Sequence, residues 1–221
     1  MKNYFITATD TDAGKTHIGC AIVNKLVKQG KKVQVFKPIS AGCEFVDGKL
    51  INADAANLLA YSNCEQTIEQ VNPIAFAEPI APHIAAQNNQ VAISLEEITQ
   101  AHKKMCQTNA EVTITEGAGG WRLPLGNGKF LSEFVQQTDQ QVILVVNMKL
   151  GCLNHAILTY EAIKNDGLVC VGWVANVQQD MAYLNENLNE LFSYFSMPLL
   201  GVVDNKPNIE SVSELLDLST I

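Results

Sequence analysis

Nowhere does the chain carry an apolar run approaching the roughly 18 residues that a membrane-spanning helix needs. Its opening, MKNYFITATDTD, also turns polar too early for a secretory h-region. A cytosolic protein with no membrane partner is expected. Positive charge is scarce as well: 15 Lys and Arg stand against 23 Asp and Glu, a formal net charge of −8 at pH 7. That sign disfavours a surface built to coat nucleic acid or anionic lipid. The six cysteines, Cys20, Cys43, Cys64, Cys106, Cys152 and Cys170, are scattered without a CxxC pair, so reduced thiols are expected rather than a disulfide framework. No segment repeats, and no Gly/Ser- or Pro-rich linker divides the chain. With 221 residues, 47% of them hydrophobic and only 17% charged, the chain can bury one sizeable core, and a single domain over 1–221 is expected.

What is present is an alternation. Short β-rich segments run from Tyr4 to Thr7, Val33 to Phe36, Val112 to Thr115, Val142 to Val146, Val169 to Val174 and Leu199 to Val203. Stretches of helical period separate them, the pattern of an α/β fold whose mostly parallel sheet is covered by helices on both faces. Ile18, Ile22 and Leu26, with Val23 and Val27 beside them, put an apolar stripe on a first helix that Gly30 ends. Further helices are expected over Ala53 to Ala60, Leu95 to Met105, Ala156 to Lys164, Tyr183 to Phe195 and Ser211 to Leu218. Between Ser40 and Asn89, Gly42, Gly48, Pro73, Pro79 and Pro82 break any long element. Irregular stretches of this length are usually functional. Ligands of open α/β sheets bind beyond the carboxyl ends of the strands, so each strand-to-helix junction is a place to look for chemistry.

The first junction, ATDTDAGKT from Ala8 to Thr16, joins the first strand directly to the first helix. Gly14, Lys15 and Thr16 supply the second half of GxxxxGK[ST]. In that motif loop amides and the helix N-terminus face phosphate oxygens, the lysine reaches the outer phosphates and the hydroxyl holds Mg²⁺. We read Ala8 as standing in place of the first glycine, a replacement that would cost roughly 1–2 kcal/mol if the position had to be left-handed. Asp10 and Asp12 would repel phosphate unless they meet water, metal or a cationic group. Two carboxylates in an anion loop need a positive neighbour.

Later junctions converge on the same place. Lys37 closes the second strand, in FKPIS, beside the first loop. At about 4 Å and an effective dielectric near 20, one cation attracts one phosphate charge by roughly 4 kcal/mol. The third strand ends in EGAGGW, so Glu116 emerges there, and Gly117, Gly119 and Gly120 let backbone approach a ligand closely. Magnesium prefers a few carboxylates plus phosphate oxygens and water. Glu116, Asp54 and the Thr16 hydroxyl are the candidates, although Asp54, in NADAAN, equally suits a first-turn helix acid. The fourth strand leads through NMKLGCLNH, placing Gly151, Cys152, Leu153 and Asn154 at a helix N-terminus whose amides would suit a carboxylate. An ordinary Asn-capped helix accounts for the same spacing. Asn176, in WVANV, offers donors and an acceptor suited to an adenine edge.

Taken in order, ATDTDAGKT, FKPIS, NADA, NPIAFAEPIAPH, EGAGGW, NMKLGCLNH and GWVAN resemble the dethiobiotin synthetase family over most of the chain. The resemblance implies a P-loop NTPase type of α/β fold, a homodimer, and conversion of 7,8-diaminononanoate, CO₂ and MgATP to dethiobiotin, ADP and phosphate in biotin biosynthesis. By the same resemblance, Asp12, Ala13, Gly14, Lys15, Thr16 and His17 wrap the ATP phosphates, and Thr16, Asp54 and Glu116 hold Mg²⁺. Lys37, Lys15 and Thr11 form the catalytic group, with Thr11 and Asp12 beside the diamine. Gly117, Ala118 and Gly119 belong to the nucleotide site, and Asn176 with Val177 to the adenine. Gly151, Cys152, Asn154 and Tyr183 would reach the distal carboxylate of the substrate from a partner subunit, Cys152 through its backbone amide. Lys37 and Ser40 are further substrate-binding candidates by the same resemblance, although Ser40, followed by Ala41, is displaced from the family's substrate-binding serine. GVVDNKPNIE departs from the family's adenine-side loop, which leaves base contacts near Asp204 and Asn205 open.

The rival class is a P-loop ATPase of the partitioning type, acting as a nucleotide-dependent dimerisation or partner-binding switch. Such proteins usually carry an additional lysine early in the loop, where Thr9 to Asp12 is acidic here. Neither NMKLG nor NVQQD supplies the NKxD motif of a GTPase.

Overall fold

The computed structural model describes residues 1–204 and 208–221. From the N-terminus the elements are β1 (Lys2–Ala8), α1 (Lys15–Lys28), β2 (Val33–Phe36), β3 (Ile39–Ser40), β4 (Glu44–Val46), β5 (Lys49–Ile51), α2 (Ala53–Tyr61), α3 (Ile68–Val71), β6 (Ile74–Ala75) and α4 (Pro82–Asn88). Then follow α5 (Leu95–Met105), β7 (Val112–Glu116), β8 (Pro124–Gly126), β9 (Lys129–Phe130), α6 (Leu131–Gln137) and β10 (Gln141–Asn147). The chain continues through α7 (Cys152–Asn165), β11 (Cys170–Val177), α8 (Leu184–Tyr194), β12 (Leu199–Asp204) and α9 (Ile209–Leu215).

Among the described residues, six strands form the central sheet in the order β12-β11-β10-β1-β7-β2, and every pairing is parallel. Side chains alternate across it as the pleat demands. Tyr4, Ile6 and Ala8 of β1 join Ile18, Ile22 and Leu26 of α1 on one face, with Leu58 of α2 and Val212 of α9. Phe5 faces the other way, into a core with Ile98 of α5, Phe134 of α6 and Ile163 of α7. Farther along that face Leu144, Val146 and Trp173 meet Tyr160 of α7 and Leu191 of α8. The expected α/β class, with helices on both faces, is what the chain adopts.

Most element limits lie close to those read from the sequence, and the shifts have local causes. α1 ends where Gly30, at φ 82°, donates to Val27 O while Lys31 donates to Leu26 O, a left-handed terminus that glycine makes inexpensive. α7 begins at Cys152 rather than Ala156, because Gly151 at φ 93° turns the chain into the helix. α9 starts early, at Ile209, because the Asn208 side chain accepts from Glu210 N. β11 runs on to Val177, so Asn176 lies within the strand, paired with Asn147 and Val203. The stretch from Ser40 to Asn89 is a series of short pieces: β3 pairs with β6, and β4 with β5.

β1 is the switch point of the sheet. From it the chain moves to one side for β2 and β7, then crosses to the other for β10, β11 and β12. The loop leaving β1 therefore stands over the place where strand order reverses, with Glu116 at the end of β7 on one side and Asn147 at the end of β10 on the other.

Candidate phosphate and cation site

The loop between β1 and α1 is held in shape by its neighbours. Asp12 is left-handed at φ 56° and Gly14 at φ 85°. Gly14 is required there twice over, since a Cβ on it would lie 2.2 Å from Asn176 Nδ2. Counted back from Gly14 at GxxxxGK spacing, the first glycine position falls on Thr9 rather than Ala8. Neither residue has a positive φ, so the expected strain is absent. Ala8 is simply the last residue of β1, and Thr9 N donates to Val145 O at 3.0 Å.

Behind the loop, two side chains from the end of β11 and a main-chain amide from the end of β10 hold it in place. Asn176 Nδ2 donates to Ala13 O at 2.8 Å and Gln178 Nε2 to Asp12 O at 2.7 Å, while Thr9 Oγ1 accepts from Asn147 N at 3.1 Å. Lys149 Nζ lies 2.6 Å from Asp10 Oδ2. It is the positive neighbour that this acidic loop needed, and its hydrogen bond lowers the Asp10 pKa. Lys149 lies in the quoted NMKLG, but nothing in its spacing tied it to Asp10. α1 starts at Lys15 with no side-chain cap, leaving its first amides open to an anion.

On the cavity side, Lys37 is buried at the carboxyl end of β2. Its ammonium lies 2.5 Å from Glu116 Oε1 and 3.0 Å from Asp54 Oδ2. Burial alone would lower the Lys37 pKa, but the two carboxylates outweigh it and the net shift is upward. Asp54 mirrors this: partial burial would raise its pKa, and Lys37 with the Thr16 hydroxyl brings it down. Thr16 Oγ1 also donates to Glu116 Oε1 at 2.8 Å. The second oxygen of Glu116 is buried and, among the described residues, has no hydrogen-bond partner. Asn52 caps α2, so Asp54 is free to pair across the cavity from the first turn. Thr16, Asp54 and Glu116 are thus gathered around one cation, the ammonium. A hydroxyl and two carboxylates, one with a spare oxygen, fit a hard divalent ion that completes its shell with phosphate and water. Lys15 is 8% exposed, and its ammonium donates to the Asp10 carbonyl at 3.3 Å. Burial lowers its pKa despite Glu116.

These groups open on a cavity of about 900 Å³ lined by Thr11, Asp12, Gly14, Lys15, Thr16, His17, Lys37, Ser40, Asp54, Glu116, Ala118 and Gly119. Those sequence-derived residues therefore meet in one place. Ala13 is buried beneath the loop, and Gly117 packs where a Cβ would lie 2.8 Å from the Phe5 ring. Pro79, Ile80, Ala81, Pro82, Asn52 and Leu123 line the cavity too. The sequence reading gave them no role, because apolar and proline residues carry no chemical signature and Asn52 serves as the cap of α2. A smaller hollow of about 440 Å³ lies behind the loop, shared by Thr11, Asp12, Lys149 and Gln178.

Asn176 and Val177 are buried in β11. Asn176 spends an amide hydrogen on the loop, which leaves its carbonyl oxygen as a further acceptor. Gly151, Cys152, Asn154 and Tyr183 lie outside the large cavity. They cluster where α7 and α8 begin: Asn187 Nδ2 donates to Tyr183 O at 2.8 Å, and Cys152 Sγ lies 3.9 Å from Asn187 Oδ1. α7 has no side-chain cap, so Asn154 does not cap it. Burial raises the Cys152 pKa, which does not suit a reactive thiol. Tyr183 is 75% exposed. Asp204 ends β12, and Asn205 lies outside the described residues.

Known proteins resemble this chain over most of its length. The model of an AAA domain family matches residues 2–213. The ATP-dependent dethiobiotin synthetase BioD of Pseudoalteromonas translucida (strain TAC 125) is 41% identical over 98% of this chain and 97% of its own length. The protein of the same name from Alteromonas mediterranea is 43% identical over 96% of this chain and 95% of its own. Among solved structures, the septum site-determining protein MinD complexed with Mg-ADP from Pyrococcus horikoshii OT3 aligns with a TM-score of 0.58. Its identity is 17%, covering 96% of this chain and 84% of that one. The cell division protein FtsY from Thermotoga maritima aligns at 0.52 with 16% identity, over 97% and 67%. At such identities the structures speak to the fold alone.

Proposed function

This chain belongs to the ATP-dependent dethiobiotin synthetase family, and on that premise we propose how its residues carry the synthesis of dethiobiotin. The activity is that of an ATP-dependent cyclo-ligase of biotin biosynthesis. The observation that carries the residue assignment is the meeting of two buried lysines at one cavity, Lys15 from the loop and Lys37 between Glu116 and Asp54.

In this reading the loop amides from Asp12 to His17 cradle the ATP phosphates. Lys15 gains an anionic partner that offsets its burial. One amine of 7,8-diaminononanoate, placed by Thr11 and Asp12, adds to CO₂ and loses a proton to form a carbamate. The γ-phosphoryl passes to a carbamate oxygen and ADP leaves. The second amine then attacks the carbamate carbon, phosphate departs, and the ureido ring is closed. Lys37 and Lys15 stabilise the charge that moves between carbamate and phosphoryl, and the remaining work is positioning. Thr16, Asp54 and Glu116 would hold Mg²⁺, which would supply charge neutralisation for the ATP phosphates. Asn176 and Val177 would face the adenine. Gly151, Cys152, Asn154 and Tyr183 would serve the distal carboxylate across a homodimer interface, in a single-domain cytosolic enzyme.

The direct test mixes the protein with ATP, Mg²⁺, bicarbonate and the diamine and looks for dethiobiotin by mass spectrometry. ATP hydrolysis without a cyclic urea would favour the switch reading instead. For the shared site, mixing Lys15→Ala and Asn154→Ala subunits should recover part of the activity. No recovery would argue against a site shared between subunits.

A further inference from the structure

We propose that Asn72 is the positioning residue that joins Lys37 to Ser40, and that it commits Ser40 to accept a hydrogen bond from a substrate N–H. The proposal rests on the diamine reading of the site and assigns a role that the loop and strand-end motifs do not contain.

Lys37 lies beyond the end of β2, so the central sheet does not hold it. Its two main-chain groups are taken instead by consecutive residues at the end of α3, its last residue and its C-cap: Lys37 N donates to Val71 O at 2.8 Å, and Lys37 O accepts from Asn72 Nδ2 at 2.8 Å. The same amide nitrogen reaches Ile74 O at 3.3 Å, and Asn72 Oδ1 accepts from Ser40 Oγ at 2.7 Å. Asn72 is 6% exposed and Ser40 2%. A buried amide so fully engaged is fixed in orientation as well as place.

That orientation follows from hydrogen-bond chemistry alone. Backbone carbonyls only accept, so the group facing Lys37 O and Ile74 O must be the NH₂. The group facing Ser40 must then be the carbonyl, which only accepts, and the one hydroxyl proton of Ser40 is committed to it. Ser40 Oγ is left with lone pairs. Cys43 Sγ, at 3.1 Å, occupies one side. The other is available to the cavity that Ser40 lines. A hydroxyl polarised in this way meets an amine or ureido N–H and rejects a carboxylate or phosphate oxygen.

The test is a mutant cycle on the full-length protein with steady-state kinetics. Ser40→Ala should raise the diamine KM about tenfold, the worth of one hydrogen bond to a charged group. ATP affinity should stay within twofold. Asn72→Ala should raise the diamine KM by as much, and should also lower kcat by about tenfold or more, because it frees the Lys37 peptide. The double variant should show the KM of Asn72→Ala alone, since one acts through the other. A merely structural Asn72 would lower the melting temperature without changing KM or kcat, and that result overturns the proposal. So does a KM that multiplies in the double variant. Should Asn72→Ala fail to fold, Ser40→Ala alone still decides, because an unchanged diamine KM refutes the acceptor role. Wild-type protein that makes no dethiobiotin would instead refute the functional reading beneath it.

Discussion

Replacing Lys37 with methionine removes the ammonium and keeps most of the stem's volume. What remains is Glu116, fully buried, with one oxygen still accepting from Thr16 at 2.8 Å and the other unpartnered. Breaking a buried pair on one side leaves a charge without compensation and costs about 3–5 kcal/mol. Chains of this kind are stable by about 5–15 kcal/mol, so about a fifth or more of the total is at stake. At an m-value of about 2.5–3 kcal/mol/M, the urea midpoint should fall by about 1–2 M at neutral pH. Glu116→Gln should lose less, about 1–2 kcal/mol, because the ammonium keeps Asp54, whose side chain is 45% exposed and admits water. In the double variant no buried charge is stranded, and its loss should fall short of the two single losses added together by about 1–3 kcal/mol. Additive losses, or a Lys37→Met variant within about 1 kcal/mol of wild type, would refute the pairing.

Gly14→Ala should abolish nucleotide binding in calorimetry while the fold persists, since it meets both a φ of 85° and Asn176 at 2.2 Å; binding at wild-type affinity would show that the loop is not held as described. Lys15, whose pKa burial pulls below 10.5, is protonated less readily in the fold than unfolded. Its penalty is therefore present below the folded value and fades as pH rises toward 10.5. Phosphate beside it reverses the shift, so nucleotide binding in that alkaline window should take up protons, giving heats that scale with buffer ionisation enthalpy; equal heats in all buffers would contradict it. Asp166→Ala should cost about 1–3 kcal/mol in thermal unfolding, because Asp166 accepts from the buried Trp121 indole at 2.8 Å and pairs with Arg122. A variant as stable as wild type would show that the indole finds another acceptor.

The sheet was readable because its strands are short, β-rich and separated by clear helical stripes; five of the six expected strands fall within the observed limits, and Val169 misses β11 by a single residue. Gly14, Lys15, Thr16, Lys37 and Glu116 were readable because each stands at a strand end or helix start, where direction follows from local geometry. Asp54 was ambiguous in sequence and became clear only when Asn52 took the cap and Lys37 the carboxylate. Lys149, Gln178 and Asn72 were out of reach for another reason. Their partners lie 139, 166 and 35 residues away, and no periodicity encodes such pairings. The misplacement of the first loop glycine at Ala8 was an error of count, and Thr9 occupies that position in an unstrained backbone.

Charge in the resting cavity nearly cancels, leaving a surplus of one carboxylate, Asp12. Lys15 and Lys37 are matched by Glu116 and Asp54, and Asp10 is cancelled from behind by Lys149. A polyanion arriving alone would find little net pull, and a free divalent ion would be repelled by the ammonium already seated between the carboxylates. Each ligand supplies the charge that the other needs, so the pocket should take them as a neutralised couple and hold either one poorly by itself.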